Sequence, residues 1–261
     1  MNEFIKHSGQ DFVPVYTKIF NIILRSGHVP DDWCQHIIRP IYKNKGDPND
    51  PNNYRGISLL SCFGKLFTSC LNARLTVFVK NNNIVEAEQA GFKSDFSTMD
   101  HLFVLKSLAD MYLHKRKRLY CCFIDYKKAF DMINRSILWS KMLSSGISGK
   151  ILDLIQNMYL KAKSSVALTA ETQSDSFDCN MGVRQGENLS PLLFSIYLCD
   201  LKSFISTKRD GLTYIDNLQA EYLDGEIVIL FKLYILLYAD DTVLLAENPK
   251  DLQIALNEMN K

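Results

Sequence analysis

The chain has 261 residues and a mass of 29.9 kDa, with 47% hydrophobic residues, 23% charged residues and a formal net charge of +1. These are ordinary globular proportions, which exclude a disordered, collagen-like or coiled-coil chain and suffice for one large domain or two intimate subdomains. No apolar run approaches the roughly 18 residues a membrane span needs, and the N-terminus has no basic region ahead of an apolar stretch, so neither span nor signal peptide is expected.

The seven cysteines (Cys34, Cys62, Cys70, Cys121, Cys122, Cys179 and Cys199) include no Cys-x-x-Cys pair. A disulfide framework or zinc knuckle is not expected; reduced thiols fit an intracellular setting, nucleus or cytoplasm. Charge is unevenly divided: residues 1–199 hold 24 Lys/Arg against 18 Asp/Glu, and residues 200–261 hold 6 against 11. A basic grip on a polyanion beside an acidic, cation-binding segment would account for this, as would an unevenly charged solvated surface.

In chain order, residues 12–25 carry Val15, Ile19, Ile22 and Ile23 at helical spacing. A strand-like run, 37–42, and a second, 54–59, flank a turn-rich segment, 43–53, and predict a long-looped hairpin with a basic tip. A helix follows over 64–80, with Leu66, Cys70, Ala73 and Val77 as its inner face and Asn81-Asn82-Asn83 as its stop. The next helix, 98–114, has Thr98 as its cap and Leu102, Leu105, Ala109 and Tyr112 facing inward. The basic run Lys115–Arg118 precedes an apolar strand, 119–124; helices at about 135–145 and 148–161 and a strand pair within 164–183 come next. Ser190-Pro191 opens a helix, and strands 233–238 and 242–246 form a last hairpin. Helices and strands interleave without a βαβ period, so the expected class is α+β.

The chemistry is concentrated at Tyr238-Ala239-Asp240-Asp241, between the apolar runs LYILL and TVLLA. A plain hairpin turn favours Asn-Gly or Asp-Gly, whereas two adjacent carboxylates at the edge of a core resist ionising unless a cation neutralises them. Mg²⁺, which prefers hard oxygen ligands, is such a cation; an exposed acidic turn is the plain alternative. Asp125 ends the strand 119–124, and if that strand lies beside the last hairpin, Asp125 and Asp240 can share a pair of metal ions. Asp131, six residues on, is expected rather to cap or orient local structure.

Three segments, Phe123-Ile-Asp125-Tyr-Lys-Lys-Ala-Phe130-Asp131, Gly182-Val-Arg-Gln185-Gly186-Glu-Asn-Leu-Ser190-Pro191 and Tyr238-Ala-Asp240-Asp241, resemble, in this order, three core motifs of reverse transcriptases. Upstream, Asn53-Tyr-Arg55-Gly-Ile-Ser-Leu-Leu-Ser61 with Gly64-Lys65, then Gln89-Ala-Gly-Phe92 and Ser97-Thr98-x-Asp100-His101, resemble the fingers region of non-LTR (LINE-type) retrotransposon polymerases. The resemblance runs from about residue 15 to 255. It implies the fingers and palm of a right-hand polymerase, with an antiparallel palm sheet and packed helices: fingers 1–115, palm 116–134, a fingers or connecting segment 135–183, and palm 184–261.

It also implies RNA-directed DNA synthesis on an RNA template and DNA primer with dNTPs. Two Mg²⁺ ions, or Mn²⁺ in their place, would be held by Asp125, Asp240 and Asp241. Phe130 corresponds to the aromatic beneath the incoming sugar, Gln185-Gly186 to the loop at template and nucleotide, and Lys43 and Arg55 to triphosphate-gripping cations, with Lys45 the alternative to Lys43. Read without the family, Phe130 is a core phenylalanine and Lys43 a solvated turn lysine. The family's basic, glycine-containing stretch after Gly91-Phe92 is replaced by Lys93-Ser94-Asp95-Phe96, where Asp95 would weaken phosphate contact. The chain ends about twenty residues after Asp241, so a truncated piece without a thumb is expected. The competing reading is a catalytically incompetent fragment that only binds RNA or DNA; a nucleotidyl cyclase would explain the carboxylates but not 182–191.

Overall fold

A computed structural model describes residues 2–86, 88–93, 96–169, 171–206, 212–219, 226–233 and 235–260. Asp95, expected to weaken phosphate contact, lies outside the described residues. The elements run α1 (Asn2–His7), α2 (Val13–Ser26), α3 (Asp31–Cys34), β1 (Gln35–Tyr42), β2 (Tyr54–Leu59), α4 (Cys62–Asn81), α5 (Thr98–His114), β3 (Tyr120–Asp125), α6 (Arg135–Ser144) and α7 (Lys150–Leu160). They continue with β4 (Lys163–Val166), β5 (Phe177–Asp178), α8 (Ser190–Tyr197), α9 (Leu201–Ser206), β6 (Leu212–Gln219), β7 (Glu226–Leu233), β8 (Ile235–Tyr238), β9 (Asp241–Ala246) and α10 (Pro249–Met259). Helices and largely antiparallel sheets mix as the α+β reading expects; the β6–β7 hairpin and the helices α1, α3, α9 and α10 have no counterpart among the elements expected from the sequence. No helix among the described residues is long and apolar enough to cross a membrane.

The chain forms two compact units, one of residues 1–84 and 128–197, the other of 85–127 and 198–261. The first holds a sheet in the order β2-β1-β4-β5, in which β1 pairs antiparallel with β2 and parallel with β4. Its core packs α2, α3, α4 and α7 together through Ile23, Cys34, Phe67, Leu71, Leu154 and Met158. Phe20, Trp33 and Phe67 meet at ring-centroid distances of 5.2–6.3 Å, the range in which tilted and edge contacts add to burial.

The second unit is built on a sheet in the order β3-β9-β8, antiparallel throughout. Alternate residues point to opposite faces. Cys121, Leu236, Val243 and Leu245 meet Leu108 and Tyr112 of α5, while Cys122, Ile124, Ile235, Leu237 and Leu244 meet Ile205 and Ala255 of α9 and α10. Both faces are covered, which explains why these strands read as continuous apolar runs rather than alternating ones. β6 and β7 form a separate antiparallel hairpin.

The expected helices are present, but in three of them the buried residues differ from the apolar positions marked in the sequence. In α2 only Ile23 of the four named positions is buried; Val15, Ile19 and Ile22 are exposed, and Phe20 and Leu24 turn toward the core with Ile23. In α4 the buried row is Phe67, Leu71, Leu75 and Val79, not Leu66, Cys70, Ala73 and Val77. Both rows have helical spacing, and the one with the larger side chains is inward, since it removes more apolar area from water. In α5, Leu102 is exposed and Leu108 joins Tyr112 inside. The cap of α5 is Ser97 rather than Thr98: the Asp100 carboxylate accepts from the Ser97 amide at 2.6 Å and its hydroxyl at 3.1 Å, which holds that carboxyl below its usual range.

The shifted α4 face is testable. Leu75, 3% exposed, should cost about 2–5 kcal/mol when replaced by alanine, whereas Val77→Ala, at a position 59% exposed, should stay within about 0.5 kcal/mol. Urea midpoints compared at fixed m-value check this, and equal losses would restore the expected face.

His36 on β1 supplies a pH-dependent term. It is 6% exposed, its Nε2 lies 2.6 Å from the Ser164 hydroxyl, and burial, reinforced by the Arg184 charge, pushes its pKa down to about 4. The folded state therefore favours neutral imidazole. Its contribution is fully present above the unfolded value of 6.5 and is lost as pH falls from there toward 4, up to about 3 kcal/mol. Stability measured against pH should fall across this window, and His36→Gln should flatten that slope; an unchanged slope would assign the acid sensitivity to other groups.

Candidate active site

Every sequence-derived metal ligand falls in the second unit. β3 and β9 run antiparallel with Asp125 directly opposite Asp241, and Asp241 also pairs with Tyr238 across the β8–β9 turn. Asp240 stands in that turn, half-buried, while Asp125 and Asp241 are exposed. Like charges placed opposite one another across strands repel, and a cation between them would reverse the sign of that term. Three carboxylates are the hard oxygen donors that Mg²⁺ accepts, so the donor chemistry fits. Among the described residues no three acidic, histidine or cysteine groups already enclose a metal position.

The turn itself is strained and supported. Ala239 has φ 56°, a left-handed conformation that costs an L-residue about 1–2 kcal/mol. The buried Gln89 carboxamide holds it from both sides: Oε1 accepts from the Ala239 amide at 3.1 Å, and Nε2 donates to the Ala239 carbonyl at 3.3 Å. Oε1 also accepts from the Gly91 amide at 2.9 Å. Gly91 lies so close that a Cβ there would sit 2.0 Å from the Ala239 nitrogen, so only glycine permits this approach. Main-chain bonds fasten the segment to β8, from Leu237 N to Glu88 O and from Ala90 N to Leu237 O, each 2.9 Å. The Gln89-Ala-Gly-Phe92 segment, expected in the fingers region, is thus in the unit that carries the aspartates.

The nucleotide-binding candidates Lys43, Arg55, Phe130, Gln185 and Gly186 lie in the first unit. Lys43 is exposed at the base of the β1–β2 loop, donating from Nζ to the Asn52 carbonyl at 3.0 Å, and Lys45 is exposed in the loop itself. Side chains organise that loop: Asp47 Oδ1 accepts from the Asn49 amide, and Asp50 Oδ1 from the Asn52 amide, both at 2.9 Å. Arg55 is exposed on β2 opposite Ile41. Phe130 is half-buried and stacks on Phe194 at 4.9 Å with an interplanar angle of 14°. Asp131 also belongs to this unit; desolvation pushes its carboxyl up against the pull of Lys128 and Lys43.

The Gln185-Gly186 loop runs beside β2. The Gln185 carbonyl accepts from the Ser58 amide at 2.9 Å. Gly186 has φ 108°, and a Cβ there would lie 3.0 Å from the Ser58 carbonyl oxygen. The positive φ therefore calls for glycine before any ligand is considered, and the neighbouring strand adds a tight contact.

Beneath the loop is a charged cluster to which sequence reasoning gave no role. The Arg184 and Glu187 side chains are almost fully buried, with Nη1 and Oε1 3.8 Å apart. Arg184 donates to the Met158 carbonyl at 2.7 Å and lies 5.1 Å from the Tyr159 ring centre; Arg135 lies 4.9 Å from that ring. Tyr159 donates its hydroxyl hydrogen to Glu187 at 3.2 Å, and burial pushes its phenol upward. Burial also pushes the Glu187 carboxyl up, while Arg184 pulls it down. The only sequence signal was a pair of opposite charges three residues apart just before an apolar helix.

The family model for "Reverse transcriptase (RNA-dependent DNA polymerase)" matches residues 41–261. An RNA-directed DNA polymerase from the mobile element jockey of Drosophila funebris is 30% identical over 86% of this chain and 24% of its own length. A Pol polyprotein from the R2 element of Popillia japonica is 26% identical over 86% of this chain and 29% of its own. The chain thus spans about a quarter of the length of these relatives. Among solved structures, telomerase from Candida albicans, determined with a fragment of telomeric RNA, aligns with a TM-score of 0.60 at 11% identity, over 95% of this chain and 43% of that one. With the fold shared and the family model matching across most of the sequence, the chain belongs to the reverse transcriptases, in the company of those of non-LTR retrotransposons.

Proposed function

We propose that this chain carries out RNA-templated addition of deoxynucleotides to the 3′-hydroxyl of a DNA primer, with Asp125, Asp240 and Asp241 as metal ligands. The observation that supports this reading most is the register that sets Asp125 opposite Asp241, with Asp240 in the adjoining turn. Reverse transcriptases use divalent metal ions; two Mg²⁺ ions held by these carboxylates, or Mn²⁺ in their place, would activate the attacking hydroxyl and stabilise the leaving oxygens. The protein's own part would be to keep three carboxylates at one end of the sheet, where their mutual repulsion would be relieved by cation binding.

The remaining roles follow the family resemblance. Lys43, or Lys45, and Arg55 would neutralise triphosphate, arginine as a bidentate donor and lysine as a point charge. Gln185 and Gly186 would touch template and nucleotide, and Phe130 would exclude a 2′-hydroxyl, its ring kept in place by the stack on Phe194. The RNA template, DNA primer and dNTPs are partners under this proposal, as is the division into fingers (1–115 and 135–183) and palm (116–134 and 184–261). The compact units divide at 84/85, 127/128 and 197/198, with α5 packed on the aspartate-bearing sheet.

Asp240→Asn keeps the side chain's shape and removes its charge. Primer extension should fall at least about two orders of magnitude, the scale of losing a principal electrostatic stabiliser, with the urea midpoint retained. Near-normal extension would remove Asp240 from the site, and primer–template binding without extension by the unaltered chain would favour the binding-only reading.

Phe130→Val should raise ribonucleotide incorporation relative to deoxynucleotide incorporation in an active preparation. An unmoved ratio would return Phe130 to the role of a ring that stacks on Phe194.

A further inference from the structure

Gln89 is 3% exposed, and both polar ends of its carboxamide are spent on the turn that carries Asp240. A buried amide needs partners of both kinds, and here Ala239 supplies an amide donor and a carbonyl acceptor, with Gly91 supplying a second donor. The residue so held is the one non-glycine residue of the turn in a left-handed conformation among the described residues. Without the carboxamide the two side-chain hydrogen bonds that orient the peptides flanking Ala239 would be lost, and relaxation to a negative φ would rotate the following residue, Asp240.

The platform that presents Gln89 is anchored elsewhere. Lys202 on α9 binds Glu88 at 2.7 Å and Glu86 at 3.0 Å, and Lys93 donates to the Glu86 carbonyl at 2.6 Å. Residues 88–91 therefore meet the turn as a segment already fastened at its base, and Gly91 lets that segment come into backbone contact with Ala239. Few other side chains meet the requirement: glutamate retains the acceptors but loses the donor, methionine has the length but makes neither bond, and asparagine is one methylene shorter.

We infer that Gln89 is a positioning residue for the aspartate site: its carboxamide fixes Ala239 in the left-handed conformation and so sets where Asp240 and Asp241 stand. This rests on the proposed metal-ligand role of the aspartates only for its effect on catalysis; the effect on the turn stands apart from it.

Two variants and two readouts separate the possibilities. In Gln89→Met, amide hydrogen exchange at Ala239 and Gly91 should rise at least tenfold, with Leu244 and Leu245 in β9 remaining protected. Gln89→Glu, which keeps the acceptor oxygens, should preserve protection at both amides. The Mg²⁺ concentration for half-maximal primer extension should rise at least tenfold in Gln89→Met with the dNTP KM moving less than twofold, a split that general destabilisation would not produce. Unchanged exchange at Ala239 in Gln89→Met, or equal loss of protection throughout β9, would overturn the inference, as would a normal Mg²⁺ requirement in an active variant with an opened turn. If Gln89→Met does not fold, Gln89→Glu decides: protected Ala239 and Gly91 amides support the inference and exposed ones overturn it. Should the unaltered chain show no extension, the polymerase reading fails while the exchange result still decides what Gln89 does to the turn.

Discussion

A guanidinium taken out of water needs acceptors and a counter-charge, and in the first unit the two terminal nitrogens of Arg184 draw them from several elements at once. It reaches the carbonyl of Met158 near the end of α7 and those of Trp33 and Cys34 at the end of α3, and it faces Glu187. Leaving one member of such a pair buried alone costs about 3–5 kcal/mol, so the surrounding chain has little freedom to depart from this arrangement. Tyr159 has the guanidinium groups of both Arg184 and Arg135 within about 5 Å of its ring centre and gives its hydroxyl hydrogen to Glu187. Arg135 in turn binds the carbonyls of Gly182 and Met181. The loop bearing Gln185 and Gly186 is thus fixed at its root by charges, while its tip follows β2.

The second unit uses a different device. Its sheet is covered on both faces, leaving polar side chains a place only at its ends, and Asp125, Asp240 and Asp241 occupy one of those ends. Hydrophobic burial decides where the strands lie; the register decides which residues are opposite each other; a local conformation at Ala239 decides how the turn is aimed. Each level adds a constraint the previous one lacks. The last is the most delicate, since it opposes the intrinsic preference of alanine.

Much of this was legible in the sequence. The strand runs 37–42 and 54–59, the helices and the final hairpin all appear with small shifts of boundary, because hydrophobic patterns and turn residues act locally. Asp240 and Asp241 stood out as candidates because paired carboxylates are unusual in an apolar hairpin, and the register that sets Asp125 opposite Asp241 follows from the expected pairing of its strand with that hairpin. The inner faces of α2 and α4 were not legible: two apolar rows of similar spacing compete, and the choice between them depends on what packs against the helix. Gln89 was quoted as part of a motif but given no task, since its partners on the turn are 150 residues away and are backbone atoms, which carry no signature of their own. Arg184 and Glu187 look like surface charges until the fold closes over them. The glycine at 186 was expected to make room for a ligand, and its left-handed backbone beside β2 calls for glycine without one.

The interleaving of the two units bears on how the chain folds as it is made. Neither unit is a continuous segment, and each must wait for a return of the chain. The first has all its residues once 197 has been synthesised. The second has β3 in hand early, but its register partner β9 emerges only with residues 241–246. Until then the strand 120–125 has no ladder to join, and the loop it must close is long, a slow and entropically costly event. During synthesis an apolar strand edge is therefore left without its native neighbour, the kind of exposure that invites pairing with other chains. The same topology that brings Asp125 to Asp241 makes the aspartate-bearing sheet a late product of folding.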